Sequence, residues 1–201
     1  HGMPEWPSSA ILNVRTVYFH AKEGVRVNEI ETTMHRGTHM DAPIHVEENT
    51  STLTDYPLWR FFGTGVAVSI PKGKWGVITP EDLDKGVKMV GLDVQALDHP
   101  LGTKLISHGV GPSHPWLEKE YKAEKGKDVL EDFPYWEPAH RTLMLNGIPG
   151  IENIGGELDK VTGKRCTFMA FPWRWTEGCG CGVRVVAIVD PKQEYRVETG
   201  Q

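Results

Sequence analysis

The chain predicts an α/β or α+β domain. Three observations point there. Short runs of β-branched and aromatic residues with partial alternation recur at 11–19, 25–34, 63–71 and 183–190. Helix-start signals are few and fall between those runs, the clearest at 78–85. The 22 glycines and 14 prolines in 201 residues supply enough turns to separate many short elements, and the length suits one domain with its own core.

The opening HGMPEWPSS is rich in turn formers, and its Trp6 is either a pocket wall or ordinary apolar packing. ILNVRTVYF (11–19) and VRVNEIETTM (25–34) read as two strands. The AKEG link between them makes a hairpin, with Gly24 free to take a positive φ. EENTSTLTDYP is a polar loop, either a lid or a solvated connection. In Leu58-Trp59-Arg60-Phe61-Phe62, Trp59 and Phe61 either line a pocket for a ring-bearing substrate or pack in the core.

GTGVAVSIP (63–71) is a strand. ITPEDLDK (78–85) begins a helix, with Thr79 as cap, Pro80 in the first turn and Asp82 three residues beyond the cap. GVKMVGLDVQ (86–95) reads as a strand. Residues 115–133 hold a short helix with a solvated charged face, and ELDKVTGK (157–164) is a polar connector. CTFMAFPWRW (166–175) and VRVVAIVD (183–190) are the closing strands. Cys179 and Cys181 are too few and too close for a structural zinc site. They are either a reactive pair near a pocket or unreactive thiols, and Cys166 suits a core position.

The chemistry concentrates in ETTMHRGTHMDAPIH, where His35, His39, Asp41 and His45 fall within eleven residues. Imidazole nitrogen and carboxylate oxygen are ordinary ligands of zinc or manganese. Gly37 and Pro43 oppose a continuous helix. In an extended segment the shared parity of His39, Asp41 and His45 puts them on one side, with His35 approaching from the preceding strand. The competing reading is a polar loop. Four ligand-type residues beside glycine and proline favour the metal site.

The run His35-Arg36-Gly37-Thr38-His39-Met40-Asp41-Ala42-Pro43-Ile44-His45 resembles the metal-dependent cyclase-family hydrolases, which include bacterial kynurenine formamidase and isatin hydrolase. It matches their pattern of His, any, Gly-Thr-His, any, Asp, any, Pro, any, His. The resemblance implies that His35, His39 and Asp41 are metal ligands and that His45 is the acid–base residue beside them. It also implies that His140 and Glu152, twelve positions apart, complete a site for a second ion. It implies one or two divalent ions, Zn²⁺ or Mn²⁺, and a homodimer or homotetramer.

The fold expected from the resemblance is an α/β, β/β/α arrangement with a barrel-like β core and surrounding helices, forming one hydrolase domain over 1–201. An amino-terminal strand seen in relatives has no counterpart ahead of Met3-Pro4-Glu5-Trp6-Pro7. Between Lys85 and Gly86 relatives carry a strand, a long loop and a helix, so a segment of roughly fifty residues is expected to be missing there. Asp93 either holds a ligand histidine by its far nitrogen or caps the next element. Trp136 is a further candidate for substrate contact. His99, His108 and His114 are too dispersed to form a compact ligand set.

The formal net charge of −5 and the lack of an aromatic-interleaved basic run argue against a nucleic-acid surface. No eighteen-residue apolar run is present, so no membrane helix is expected. Three cysteines, an odd count in a chain of this size, favour a reducing cytoplasmic setting. The leading function is metal-dependent hydrolysis of a carbon–nitrogen bond in a small aryl formamide, cyclic amide or imide through metal-activated water. The alternative is a non-catalytic divalent-metal-binding or regulatory domain.

Overall fold

The computed structural model describes residues 12–72, 75–89, 106–108, 115–132 and 138–192. In chain order the first elements are β1 (Asn13–Tyr18), α1 (His20–Glu23), β2 (Val27–Glu31), β3 (His39–Asp41), β4 (Phe62–Val66), α2 (Pro80–Met89) and β5 (Ile106–His108). There follow α3 (Pro115–Lys125), α4 (Val129–Asp132), α5 (Pro138–Met144), β6 (Gly150–Glu152), α6 (Leu158–Val161), β7 (Arg165–Met169), β8 (Gly180–Gly182) and β9 (Val186–Ile188).

The predicted hairpin is β1–β2, antiparallel, with Val14 opposite Ile30 and Arg15 opposite Glu29. Its link is a single helical turn. Gly24 ends that turn in the left-handed region (φ +75°) and donates its N–H to the His20 carbonyl, which suits glycine.

The sheet that carries the site has the order β5-β6-β3-β8. β3 is antiparallel to both neighbours, while β5 runs parallel to β6. Alternation along β3 sorts its residues. Met40 points to one face, where it pairs in register with Ile151 and Cys181, and all three are at most 2% exposed. Ala42, Leu53, Phe61, Ala170 and Val183 complete this core. Burying each of the large side chains contributes about 1.5–3 kcal/mol. His39 and Asp41 therefore face the other way. The core fixes the site by fixing the register, because a slip of one residue would send both ligand-type groups into the apolar face.

A second sheet has the order β4-β7-β9, and the Ala170 N–H donates to the Phe61 carbonyl at its end. The barrel-like core expected from the sequence is not observed. Among the described residues the strands form three small, mostly antiparallel sheets, and none closes on itself. The strands are three to six residues long, and each sheet keeps two separate edges. A closed barrel needs a continuous staggered ladder around the ring. The α/β character stands, with six α-helices among the described residues. None of those helices is long and apolar enough to cross a membrane.

The strand expected at 86–95 is also corrected in part. Residues 86–89 extend α2, and 90–95 lie outside the described residues. Gly86 is buried in this helix and packs beside Val68, which a Cβ there would meet at an ordinary contact distance of 3.4 Å. The helix start is as predicted. The Thr79 N–H donates to Asp82 Oδ2 at 2.8 Å, and the Asp82 N–H donates to Thr79 Oγ1 at 3.3 Å.

Lys72 Nζ lies 2.5 Å from Asp82 Oδ2. That contact first, and the Thr79 N–H second, hold the Asp82 carboxyl down at about 2. Its contribution to stability is therefore present above 3.8 and is lost as the pH falls through about 2. Lys72→Met is expected to raise the Asp82 titration midpoint, followed by carboxyl NMR, toward 3.8. An unmoved midpoint would remove Lys72 as the cause.

Candidate metal centre

Gly37 starts the site. Its φ of +60° turns the chain so that its carbonyl accepts a hydrogen bond from His39 Nδ1 at 2.8 Å. That bond places the proton on Nδ1 and leaves Nε2 facing Asp41 Oδ1 at 3.2 Å and Glu152 Oε2 at 3.5 Å. His39 and Glu152 are direct partners across β3 and β6, so the sheet register brings the two together. His140, on α5, points Nε2 at Glu152 Oε1 (3.1 Å) and Asp41 Oδ2 (3.4 Å). Arg141 locks that helix to the motif loop by donating to the Val46 carbonyl and the Glu47 carboxylate, both at 2.6 Å.

His35 places Nδ1 2.7 Å from Asp41 Oδ1 and Nε2 3.1 Å from Cys179 Sγ. His45 arrives by a different route from the one parity suggests. Pro43 starts a 3-10 turn, Pro43–His45, that carries His45 off the line of β3. It stands exposed, its ring stacked on His35 at 3.9 Å between centroids.

Asp41, wholly buried, is the hub. Burial alone would push its carboxyl up, but contacts with His140, His35 and His39 hold it well below the usual carboxylate range. Burial likewise opposes charge on His35 and His39, and it is outweighed by contact with Asp41, joined by Cys179 at His35 and by the Gly37 carbonyl at His39. His35 is held up at about 9, and His39 is also raised. The Cys179 thiol is drawn down to about 6 by contacts with His35 and then His45. The cluster thus favours positive charge at its centre.

The donor set fits a divalent cation on that ground. His35, His39 and Asp41 offer ligand atoms within 4.8 Å of one another, and so do Asp41, His140 and Glu152. Asp41 belongs to both groups. Its buried Oδ2 has no well-formed hydrogen bond, which leaves an acceptor open at the point the two groups share.

A family model described as Cyclase matches residues 1–151. The chain belongs to that family. Among curated relatives of this cyclase-family chain, kynurenine formamidase from Geobacillus thermodenitrificans is 28% identical over 190 residues, covering 90% of each protein. The kynurenine formamidase of Salinibacter ruber is 26% identical over 182 residues, covering 82% of this chain and 81% of that one. Isatin hydrolase A from Ralstonia solanacearum superposes with a TM-score of 0.63 at 14% identity, covering 94% of this chain and 87% of that chain. At that identity the likeness speaks for the fold of the cyclase-family chain.

The structure brings His35, His39, Asp41, His45, His140 and Glu152 together. The aromatic candidates fare differently. Phe61 is 1% exposed and packs in the core. Trp59 sits under its neighbour Arg60, whose Cζ is 5.8 Å from the ring centroid. Trp6, Asp93, His99, His114 and Trp136 lie outside the described residues. The backbone register sets His108 opposite Glu152.

The cysteines separate. Cys181 packs in the core, and Cys179 alone reaches the site. Cys179 and the adjoining Gly180 come beside His35 through the pairing of β3 with β8. No local pattern announces that neighbourhood.

Proposed function

We propose that the protein is a metal-dependent hydrolase that cleaves a carbon–nitrogen bond of an aryl formamide, cyclic amide or imide. The observation that carries this reading is an exposed histidine, His45, stacked on half-buried His35 at the rim of a His–His–Asp group whose other two members are buried. A purely structural metal site is closed by protein ligands, whereas this cluster opens at His45. Membership of the Cyclase family and likeness to kynurenine formamidases and isatin hydrolases support the choice of bond.

In this reading His35, His39 and Asp41 hold one ion, and Asp41, His140 and Glu152 hold a second. Zinc and manganese both suit the mixed nitrogen and oxygen donors. When bound, a divalent cation supplies acidified water and polarises the carbonyl. The buried carboxylate of Asp41 keeps His35 and His39 turned inward. His45, outside that set, donates a proton to the leaving nitrogen, which departs poorly as an anion.

His45→Ala is expected to lower kcat by about 10²–10⁴ while leaving metal content unchanged. Equal turnover in the variant would refute the assigned role. The activity itself is tested on metal-loaded and chelated protein with formyl-kynurenine, isatin and simple cyclic imides. Hydrolysis of at least one, abolished by chelation and restored by zinc or manganese, is expected. Silence on all of them in protein shown to bind metal would instead favour a metal-binding regulatory domain.

A further inference from the structure

We propose that Cys179 is a positioning residue for the metal centre: its sulfur receives the Nε2 proton of His35 and so fixes Nδ1 as the nitrogen that faces Asp41 and a bound cation. The inference rests on the reading of His35 as a ligand.

An imidazole that binds a cation through one nitrogen carries its proton on the other. In a half-buried place that proton needs an acceptor, usually a carboxylate or a carbonyl. For His39 the acceptor is the Gly37 carbonyl. For His35 the group at the far nitrogen is a sulfur, 3.1 Å away, with the opposite nitrogen 2.7 Å from Asp41 Oδ1. The ring is therefore held at both nitrogens along one line from Cys179 to Asp41. Its face is covered by His45, stacked at 3.9 Å, and the same sulfur lies within 4.8 Å of a ring nitrogen of His45. One thiol thus holds the far nitrogen of a ligand and borders the acid–base histidine.

Two competing roles for this thiol fit less well. His35, His45 and Cys179 have ligand atoms within 4.8 Å of one another and could be taken for a third cation site. However, the two rings stack with only 26° between their planes, so their in-plane lone pairs run nearly side by side and do not converge. A packing role belongs instead to Cys181, which is 1% exposed and accepts a hydrogen bond from the Trp173 N–H at 3.1 Å.

The test is zinc affinity, measured on metal-free protein by competition with a chromogenic chelator, together with the protonated nitrogen of His35 read by ¹⁵N NMR on zinc-loaded protein. Cys179→Ala is expected to weaken zinc binding about 10–100-fold with little change in the Tm of the metal-free protein. Cys179→Ser, which restores an acceptor, is expected to recover most of that loss. In the wild type the proton is expected on Nε2. Undiminished affinity in Cys179→Ala, a loss that serine does not recover, or a proton on Nδ1 in the zinc-loaded wild type would each overturn the proposal. His35→Ala separates the two levels. If that variant binds zinc as tightly as the wild type, it is the ligand reading of His35 that fails.

Discussion

Asp41→Asn is expected to remove both cation positions and to lower kcat/KM by at least about a thousandfold, since several kcal/mol of transition-state stabilisation go with the ion. The substitution keeps the shape of a fully buried side chain and deletes its charge. Asp41 is the residue common to the two donor groups, so no single replacement elsewhere in the cluster reaches both. Metal analysis of the purified variant checks the first half, and full metal content would sink it.

The metal-free protein gives a second readout. His35 is held up at about 9, against an ordinary 6.5, with burial opposing the charged form and the contacts with Asp41 and then Cys179 together outweighing it. A raised folded value means that this contribution is whole below 6.5 and is lost as the pH rises through about 9. Cys179, drawn down to about 6 from 9.0, contributes the opposite slope over the same range. The readout is therefore the His35 imidazole midpoint itself, followed by NMR in metal-free protein: about 9 in the wild type and closer to 6.5 in Asp41→Asn. An unmoved midpoint would show that Asp41 is not a partner that holds the proton.

Residues 35–45 carried most of the site in plain view. His39 and Asp41 flank Met40, and the alternation of a strand separates two polar groups from one core residue without further information. The same argument does not extend to His45, because Pro43 ends the extended backbone two residues earlier. His140 and Glu152 carried a weak signal by themselves. Their meaning comes from β6 lying against β3, a contact more than a hundred residues apart in sequence. The helix at 80–89 shows the division in another form. Its capping residues were readable, but its length was not, because a glycine followed by apolar residues reads as the start of a strand, whereas the helix runs on through Gly86 to Met89. The barrel came from resemblance alone, and short strands in separate ladders do not form it.

Gly180→Ala is expected to weaken zinc binding about 10–100-fold without unfolding the protein, an effect typical of losing the support behind a ligand. A Cβ at this position would stand 2.7 Å from His35 Cε1, 3.1 Å from His35 Nδ1 and 3.1 Å from the Met40 carbonyl oxygen. Gly180 is not in the left-handed region, so the new methyl group introduces no backbone strain of its own. The Met40 carbonyl belongs to the central strand, paired on both sides, and has little room to retreat. The ring must yield, and in doing so it leaves both Asp41 and Cys179. Gly182→Ala, on the same strand and opposite His39, is the matched control, because a Cβ there meets nothing within 4 Å. Both variants add one methyl to β8, so a general weakening of the strand would show in each. A loss of zinc affinity confined to Gly180→Ala traces to the His35 ring, and equal affinity in the two would release Gly180 from any part in holding it.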